Sequence, residues 1–146
     1  MSDAADPTVR DLIIDAIEAA VTPLAVEVEV EPAGDPMSLP ALGITDGGHS
    51  VLEHEASITR RSMTVSIDGF VDGAGGKAPT RARNALVAAV VVAILTDPAI
   101  AALVEVIDDG DLRLFTATLS SARRLGFAQD FEFQFSTSRD DPAVPA

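Results

Sequence analysis

A row of phenylalanines near the carboxyl end of the chain constrains its fold more than any other feature. Phe127, Phe131, Phe133 and Phe135 occupy alternate positions with one gap. Because successive side chains of a β-strand point to opposite faces, this spacing predicts a strand over residues 127–136 with one aromatic face. Burying each ring contributes roughly 1.5–3 kcal/mol, and the chain has six phenylalanines and neither tryptophan nor tyrosine. We therefore expect this strand to be central to the core.

Two other segments have the patterns of helices. Residues 9–21 repeat apolar side chains at intervals of three and four, which predicts an amphipathic helix with Asp6 as its cap. A second helix is predicted from Pro79-Thr80 to Leu95. Its segment Ala85–Leu95 is apolar nearly all round, so several of its sides should be covered. It lies either between the sheet and the first helix or against a neighbouring subunit.

Further strands complete an α+β fold with a mostly antiparallel sheet and two main helices packed against it. Alternation of valine and glutamate predicts a strand with a valine face at 24–31, and Gly69 marks a bulge in a strand at 59–71. The stretch from 49 to 57 either extends a hairpin or is mobile. The remaining expected elements are a short strand at 39–45 ended by the glycines that follow it, a turn at 108–111 and a strand at 112–119. We expect one domain over residues 1–137 and a flexible tail over residues 138–146.

Composition excludes several classes of function. The 146 residues carry a formal net charge of -13, which disfavours a surface that binds nucleic acid or anionic lipid. There is no cysteine for a disulfide or a thiolate site. The longest apolar run is about half the ~20 residues that a membrane span needs, so we expect a soluble protein with no membrane partner.

The charge is unevenly distributed along the chain. Residues 60–83 carry five basic and two acidic side chains, whereas the segments on both sides are strongly acidic. A basic stripe in an acidic protein suits self-association, because the stripe of one copy can face the acidic surface of another. The alternative is an ordinary solvated surface of mixed charge.

Motifs for catalysis or cofactor binding are incomplete. The glycine-rich segment Gly73–Lys77 lacks the spacing and the following Ser or Thr of a phosphate-binding loop. His49 and His54 with their neighbouring glutamates lack a metal-ligand spacing, and the aspartates at 108–111 lack the rest of a calcium loop. We therefore expect no enzyme activity, no metal and no cofactor.

The second half of the chain resembles a known family. The run Ile58-Thr-Arg-Arg-Ser-Met-Thr-Val-Ser-Ile-Asp-Gly-Phe-Val71 is followed by Arg83-Asn-Ala-Leu and the apolar helix. Then come Leu95-Thr-Asp-Pro-Ala-Ile-Ala-Ala-Leu-Val-Glu-Val-Ile-Asp108 and a closing Phe-x-Phe-x-Phe-Ser-Thr strand. This pattern is similar to that of the tail terminator (minor tail) proteins of long-tailed phages and of phage-derived particles such as gene transfer agents. The similarity covers roughly residues 8–137.

The resemblance implies a structural virion protein of the tail, assembled in the host cytoplasm. Family members form a homo-oligomeric, hexameric ring that caps the tail tube, ends its polymerisation and joins the head–tail connector, while DNA only passes through the lumen. An acidic lumen would let DNA slide without binding. Arg60, Arg61, Arg123 and Arg124 are candidate anchors of the oligomer interface, since arginine pairs with carboxylates in a fork geometry. A head–tail adaptor or completion protein, and a small-ligand-binding or hydrolytic α+β domain, are the alternatives.

Overall fold

A computed structural model describes residues 6–146 of the chain. Its helices are α1 (Val9–Val21), α2 (Lys77–Thr96) and the short α3 (Pro98–Ala101), with a 3-10 turn at Thr22–Leu24. Its strands are β1 (Glu27–Val30), β2 (Ala41–His54), β3 (Ile58–Asp72), β4 (Val106–Leu119) and β5 (Ala122–Ser138).

The five strands form one sheet in the order β1-β2-β3-β5-β4. The pairings β2–β3, β3–β5 and β4–β5 are antiparallel, while β1 runs parallel to β2. The predicted α+β class is thereby confirmed. The sheet is mixed because the chain from β1 to β2 crosses over through a loop, and the helices number three because a single turn, α3, follows α2.

The phenylalanine strand lies in the core, as predicted. Phe127, Phe131, Phe133 and Phe135 are all buried, and β5 pairs with a strand on both sides. Opposite them in the register, Met63 and the other odd-numbered apolar residues of β3 point to the same face. The helices cover this face, and the other face of the sheet carries no helix within residues 6–146.

The first helix and the first strand differ in detail from expectation. Thr8 caps α1 in place of Asp6, because its hydroxyl accepts from the Asp11 N–H while the Asp11 carboxylate accepts from the Thr8 N–H. The strand at 24–31 shrinks to the four residues of β1, and Val26 before it is 69% exposed. The alternation of valine and glutamate predicted too long a strand, because β1 lies at the edge of the sheet and α1 covers only part of it.

Two predicted strand ends are β-bulges. Asp46 accepts the Gly48 N–H, Gly48 has a φ of 91°, and β2 resumes its pairing at His49. The hairpin therefore extends to His54. In β4 the predicted turn at 108–111 is a bulge between Asp109 and Leu112, so the strand runs on through the acidic segment.

Gly69 does not form the predicted bulge. β3 pairs with β5 without interruption from one end to the other, and Gly69 lies opposite Phe127. The absence of a side chain at position 69 makes room for the ring of Phe127. A glycine inside a strand is found both at bulges and at such close contacts, so the sequence does not distinguish the two.

Helix α2 is covered on one side only, where the sequence predicts cover on several sides. Its buried residues are Leu86, Val87, Val90 and Ile94, and they contact the sheet and α1. Val92 and Leu95 are 59% and 41% exposed. Among the helices of residues 6–146, only α2 has the length and composition that would also suit a membrane span. Those two properties are shared by helices that pack against protein.

The segment 138–146, predicted as a flexible tail, has partners in the structure. The Val9 N–H donates to the Ala143 carbonyl, and the Ser138 N–H donates to the Val144 carbonyl. Pro145 forms an isolated bridge with Thr137. These contacts join the last residues to the start of α1 and the end of β5.

Candidate subunit interface

The outward face of α2 is left uncovered in a single copy of the chain. Arg81, Ala85, Ala88, Val92 and Leu95 follow one another at intervals of three and four, which places them on one side of the helix, and all five are exposed. The face begins basic and continues apolar. A helix that exposes such a stripe in one copy of a protein gains stability when another protein surface covers it.

The edge strand β4 is a second exposed surface on the same side of the molecule. It pairs with β5 along one edge only. Leu112 and Leu114, which are 43% and 49% exposed, point to the face of the sheet that the helices cover, and Phe115, which is 38% exposed, points to the other face. Long apolar edge strands favour association with another chain, because their N–H and C=O groups are unpaired. Helix α2 contacts β4, so the two surfaces adjoin.

Basic residues gather where β3 ends and α2 begins. The Gly73 N–H donates to the Arg123 carbonyl, and the Arg123 guanidinium donates to the Gly73 carbonyl at 2.9 Å. Four residues after Gly73, Lys77 opens α2, and Arg81 lies one turn further along. Neither Lys77 nor Arg81 forms an ion pair within the described part of the chain. We call the first two turns of α2, which carry Lys77 and Arg81, the basic turns.

An acidic groove of about 370 Å³ runs between α1 and the end of β1. Its lining residues are Asp11, Ile14, Asp15, Glu18, Val30, Glu31 and Asp46. Asp46 pairs with Arg10, and Glu31 accepts the Asp46 N–H. The side chains of Asp15 and Glu18 make no hydrogen bond or ion pair to any residue from 6 to 146, so their charges face the solvent unneutralised.

The four arginines predicted as interface anchors form two separate pairs. Arg60 and Arg61 lie near one end of β3, while Arg123 and Arg124 lie at the start of β5, beside the other end of β3. Asp72, the register partner of Arg124, lies twelve positions after Arg60 along β3, which is a distance of roughly 40 Å. Within each pair the two side chains point to opposite faces of the sheet.

Each of these arginines has partners within its own chain. Arg60 forms ion pairs with Glu53 and Glu105, and Arg61 donates to the Thr137 hydroxyl. Arg124 pairs with Asp72 at 3.5 Å, and Arg123 holds the Gly73 carbonyl as described above. An interface role for the four therefore stays a prediction. Lys77 and Arg81 differ from them, because within residues 6–146 their side chains form neither an ion pair nor a hydrogen bond. In the sequence, Lys77 and Arg81 were visible only as part of the basic stripe at residues 60–83. Counting charges does not show which residues of that stripe stay unpaired in the fold.

The face of the sheet without helices is acidic. Register places eight carboxylates and three arginines on it. The carboxylates are those of Glu27, Glu29, Glu53, Asp68, Asp72, Asp108, Asp130 and Glu132, and the arginines are Arg60, Arg113 and Arg124. Arg113 donates to both carboxylate oxygens of Asp130, at 2.8 and 3.1 Å, and this hydrogen bonding lowers the pKa of Asp130. Burial raises the pKa of Asp68. Asp108 lies directly opposite Glu132, so like charges face each other on this surface.

The two histidines are held by different partners. The Arg61 guanidinium lies 2.9 Å from Nε2 of His49, and Arg10 approaches Nδ1 of the same ring. Burial, followed by the charges of the two arginines, lowers the pKa of His49. His54 Nδ1 lies 2.9 Å from the Thr59 hydroxyl. The structure thus gives each histidine a place in the β2–β3 hairpin, and no group of three or more His, Asp or Glu within residues 6–146 has the geometry of a metal site.

An apolar cavity of about 470 Å³ opens beside the amino-terminal half of α2. It is lined by Leu24, Leu39, Pro40, Val71, Asp72, Ala82, Ala85, Leu86 and Ala89. Asp72 is the one ionisable residue in this lining, and its carboxylate pairs with Arg124. The cavity suits an apolar group, and it offers no second polar side chain for acid–base chemistry.

No protein-family model matches the chain, and comparison with curated proteins finds no match.

Proposed function

We propose that the chain is the subunit of a ring that caps the tail tube of a long-tailed phage or phage-derived particle. The ring ends polymerisation of the tube and joins the tail to the head–tail connector. One observation carries the self-association in this proposal: the apolar helix α2 is covered on one side only in a single copy. The sequence resemblance supplies the remaining part, which is the identity of the assembly.

The acidic sheet face suits the inner wall of such a ring. Eight carboxylates on this face are opposed by three arginines, Arg60, Arg113 and Arg124, and each of the three already forms an ion pair with a carboxylate of its own chain. DNA that moves through the lumen would meet like charge and would not bind to the wall. The exposed face of α2 is then available for contacts outside the lumen.

The test combines assembly of the protein alone with its effect on tubes. The purified chain should form closed rings visible by electron microscopy, with a mass by analytical ultracentrifugation of several subunits. Added to the polymerising tail tube protein of the same particle, it should shorten the tubes and occupy one end. A chain that stays monomeric at high concentration and leaves tube length unchanged would overturn the proposal. A ring that binds the connector and leaves tube growth unchanged would favour a head–tail adaptor.

The apolar cavity favours a second candidate function, the binding of a small apolar ligand. Its volume lies in the range of ligand pockets, and apolar residues provide most of its lining. Replacing Ala89 by Phe would fill part of the cavity. If the cavity is a ligand site, a fluorescent apolar probe should raise the midpoint of thermal unfolding of the wild-type chain and leave that of Ala89→Phe unchanged.

A further inference from the structure

The basic turns and the acidic groove are two surfaces of opposite charge on one chain. Lys77 and Arg81 stand one helical turn apart, and on the rim of the groove Asp15 and Glu18 also stand about one turn apart. We propose that a second copy of this chain supplies the occupant of the groove: the basic turns of one subunit bind between α1 and β1 of the next. This inference rests on the proposed function, and it specifies which surfaces form the contact.

The position of these charges within their own helices supports an intermolecular role. Lys77 is the first residue of α2, where the helix dipole disfavours positive charge, and no side chain in the described part of the chain caps this helix end. Glu18 lies in the last turn of α1, where the dipole disfavours negative charge. Both charges therefore oppose the stability of the helix that carries them, so stabilisation of the single chain does not explain them.

The two surfaces cannot meet within one subunit. The groove lies at the β1 edge of the sheet, whereas α2 packs over β3, β5 and β4. Strand β2 and helix α1 stand between them. A contact between the basic turns and the groove therefore joins two copies.

Apolar surface adjoins the charges on both sides of the proposed contact. Beyond Arg81 the outward face of α2 continues with Ala85 and Val92, and the lining of the groove includes Val30, which is 37% exposed. Burial of these side chains adds non-directional stabilisation to a contact that the charges orient. The contact is heterologous, because different surfaces of identical chains meet, and repetition with a closing rotation produces a ring.

Two charge-reversed chains test the contact. Lys77→Glu with Arg81→Glu makes the basic turns acidic, and Asp15→Lys with Glu18→Lys makes the groove basic. Lys77→Glu places a negative charge at the amino end of α2, and Glu18→Lys places a positive charge in the last turn of α1. Both charges interact favourably with the helix dipole, so both chains should fold. Circular dichroism and unfolding midpoints verify folding before assembly is measured.

Each reversed chain alone should assemble at least about tenfold more weakly than the wild type, as measured by ultracentrifugation. An equimolar mixture of the two should form rings again when the two chains alternate. The acidified turns of the first variant then meet the basic groove of the second, and the unchanged basic turns of the second meet the unchanged acidic groove of the first. Both chains remain net negative, so their overall charges repel and cannot produce this rescue. Asp35→Lys with Glu55→Lys is the matched control, since it changes charge equally at exposed sites outside the groove. It should assemble as the wild type does.

Four outcomes would overturn the inference. The first is wild-type assembly by either reversed chain, and the second is failure of the mixture to assemble. The third is equal loss of assembly in the control. The fourth is a basic-turn variant that assembles normally and loses affinity for a double-stranded DNA probe, which would assign Lys77 and Arg81 to phosphate binding. If instead the wild-type chain itself forms no rings, the proposed function fails, and this result is distinct from the other four.

Discussion

The ring of Phe127 lies directly against the backbone of Gly69 on the neighbouring strand. A Cβ atom at position 69 would lie 2.2 Å from the Phe127 ring, which is far inside van der Waals contact. Because Phe127 is fully buried, its ring has no free space into which it can move. The glycine and the phenylalanine therefore form one packing unit across β3 and β5.

Gly69→Ala should lower the free energy of unfolding by about 1–3 kcal/mol, the cost of overpacking a core. Denaturant unfolding followed by circular dichroism measures this change. Gly34→Ala is the matched control, because a Cβ there meets nothing within 4 Å. An alanine at position 69 that leaves stability unchanged would show that Phe127 does not occupy this place.

Phe133→Ala should lower the free energy of unfolding by about 3–5 kcal/mol, because it leaves a cavity beside Met63 in a fully buried region. Leu114→Ala, at a site that is 49% exposed, should cost far less. The same denaturant titration compares both variants with the wild type. Similar losses in the two would contradict the central position of β5.

Acidification should destabilise the protein through His49. Burial and the charges of Arg10 and Arg61 hold the pKa of His49 below its ordinary value of 6.5, whereas Asp46 acts in the opposite direction. The neutral ring is thus favoured in the folded state. Its contribution is present above the unfolded pKa and is lost as the pH falls through the folded pKa.

The free energy of unfolding measured from about pH 7.5 to pH 5 should therefore fall less steeply for His49→Gln than for the wild type. His54→Gln is a suitable control on the same hairpin, because His54 contacts the Thr59 hydroxyl and no arginine. Parallel curves for the wild type and His49→Gln would refute this assignment.

Asp68→Asn should stabilise the protein at neutral pH. Burial raises the pKa of Asp68 above 3.8, so ionisation of this carboxyl opposes folding. For such a group the stabilisation is complete below the unfolded pKa and is lost as the pH rises through the folded pKa. The difference in free energy of unfolding between variant and wild type should grow from about pH 3 to pH 7. A constant difference would mean that Asp68 is not desolvated.

Replacement of Arg60 and Arg61 by glutamate is expected from the sequence to weaken ring assembly and to leave a folded monomer. The structure changes the design of this test, because a glutamate at position 60 would face Glu53 and Glu105. Arg60→Ala with Arg61→Ala removes the cations without adding that repulsion. If these arginines anchor the interface, light scattering should show weaker assembly while unfolding stays cooperative. Unchanged assembly would refute their interface role.

Elements defined by local periodicity were predictable from the sequence. The phenylalanine alternation located β5, and the spacing of apolar residues located α1 and α2, because in each case one buried face dictates the pattern. Failures occurred where a contact distant in sequence decides the structure. Gly69 is fixed by Phe127, 58 positions away, and the apparent turn at 108–111 is held as a strand by its neighbour β5.

The candidate interface was predictable only in its coarsest property, the presence of a basic stripe. Which cations the fold neutralises depends on strand register, and register brings Arg60 to Glu53 and Arg124 to Asp72. The acidic groove requires α1 and the end of β1 to adjoin, which no local pattern encodes. Periodicity did show that α2 has more apolar surface than an amphipathic helix needs, and one copy leaves part of that surface exposed.

Gln129 fills the single gap in the phenylalanine row, and this position has a consequence for the choice of strand alignment. Its amide nitrogen donates to the carbonyls of Gly110 and Asp130, both at 3.0 Å, and Gly110 belongs to the bulge of β4. A slip of two residues between the strands would keep the phenylalanines facing inward, so the aromatic rings alone do not reject it. The slip would separate the amide from the bulge and leave a buried polar group without that acceptor. One polar side chain in the aromatic row thus distinguishes the native alignment from its nearest competitor.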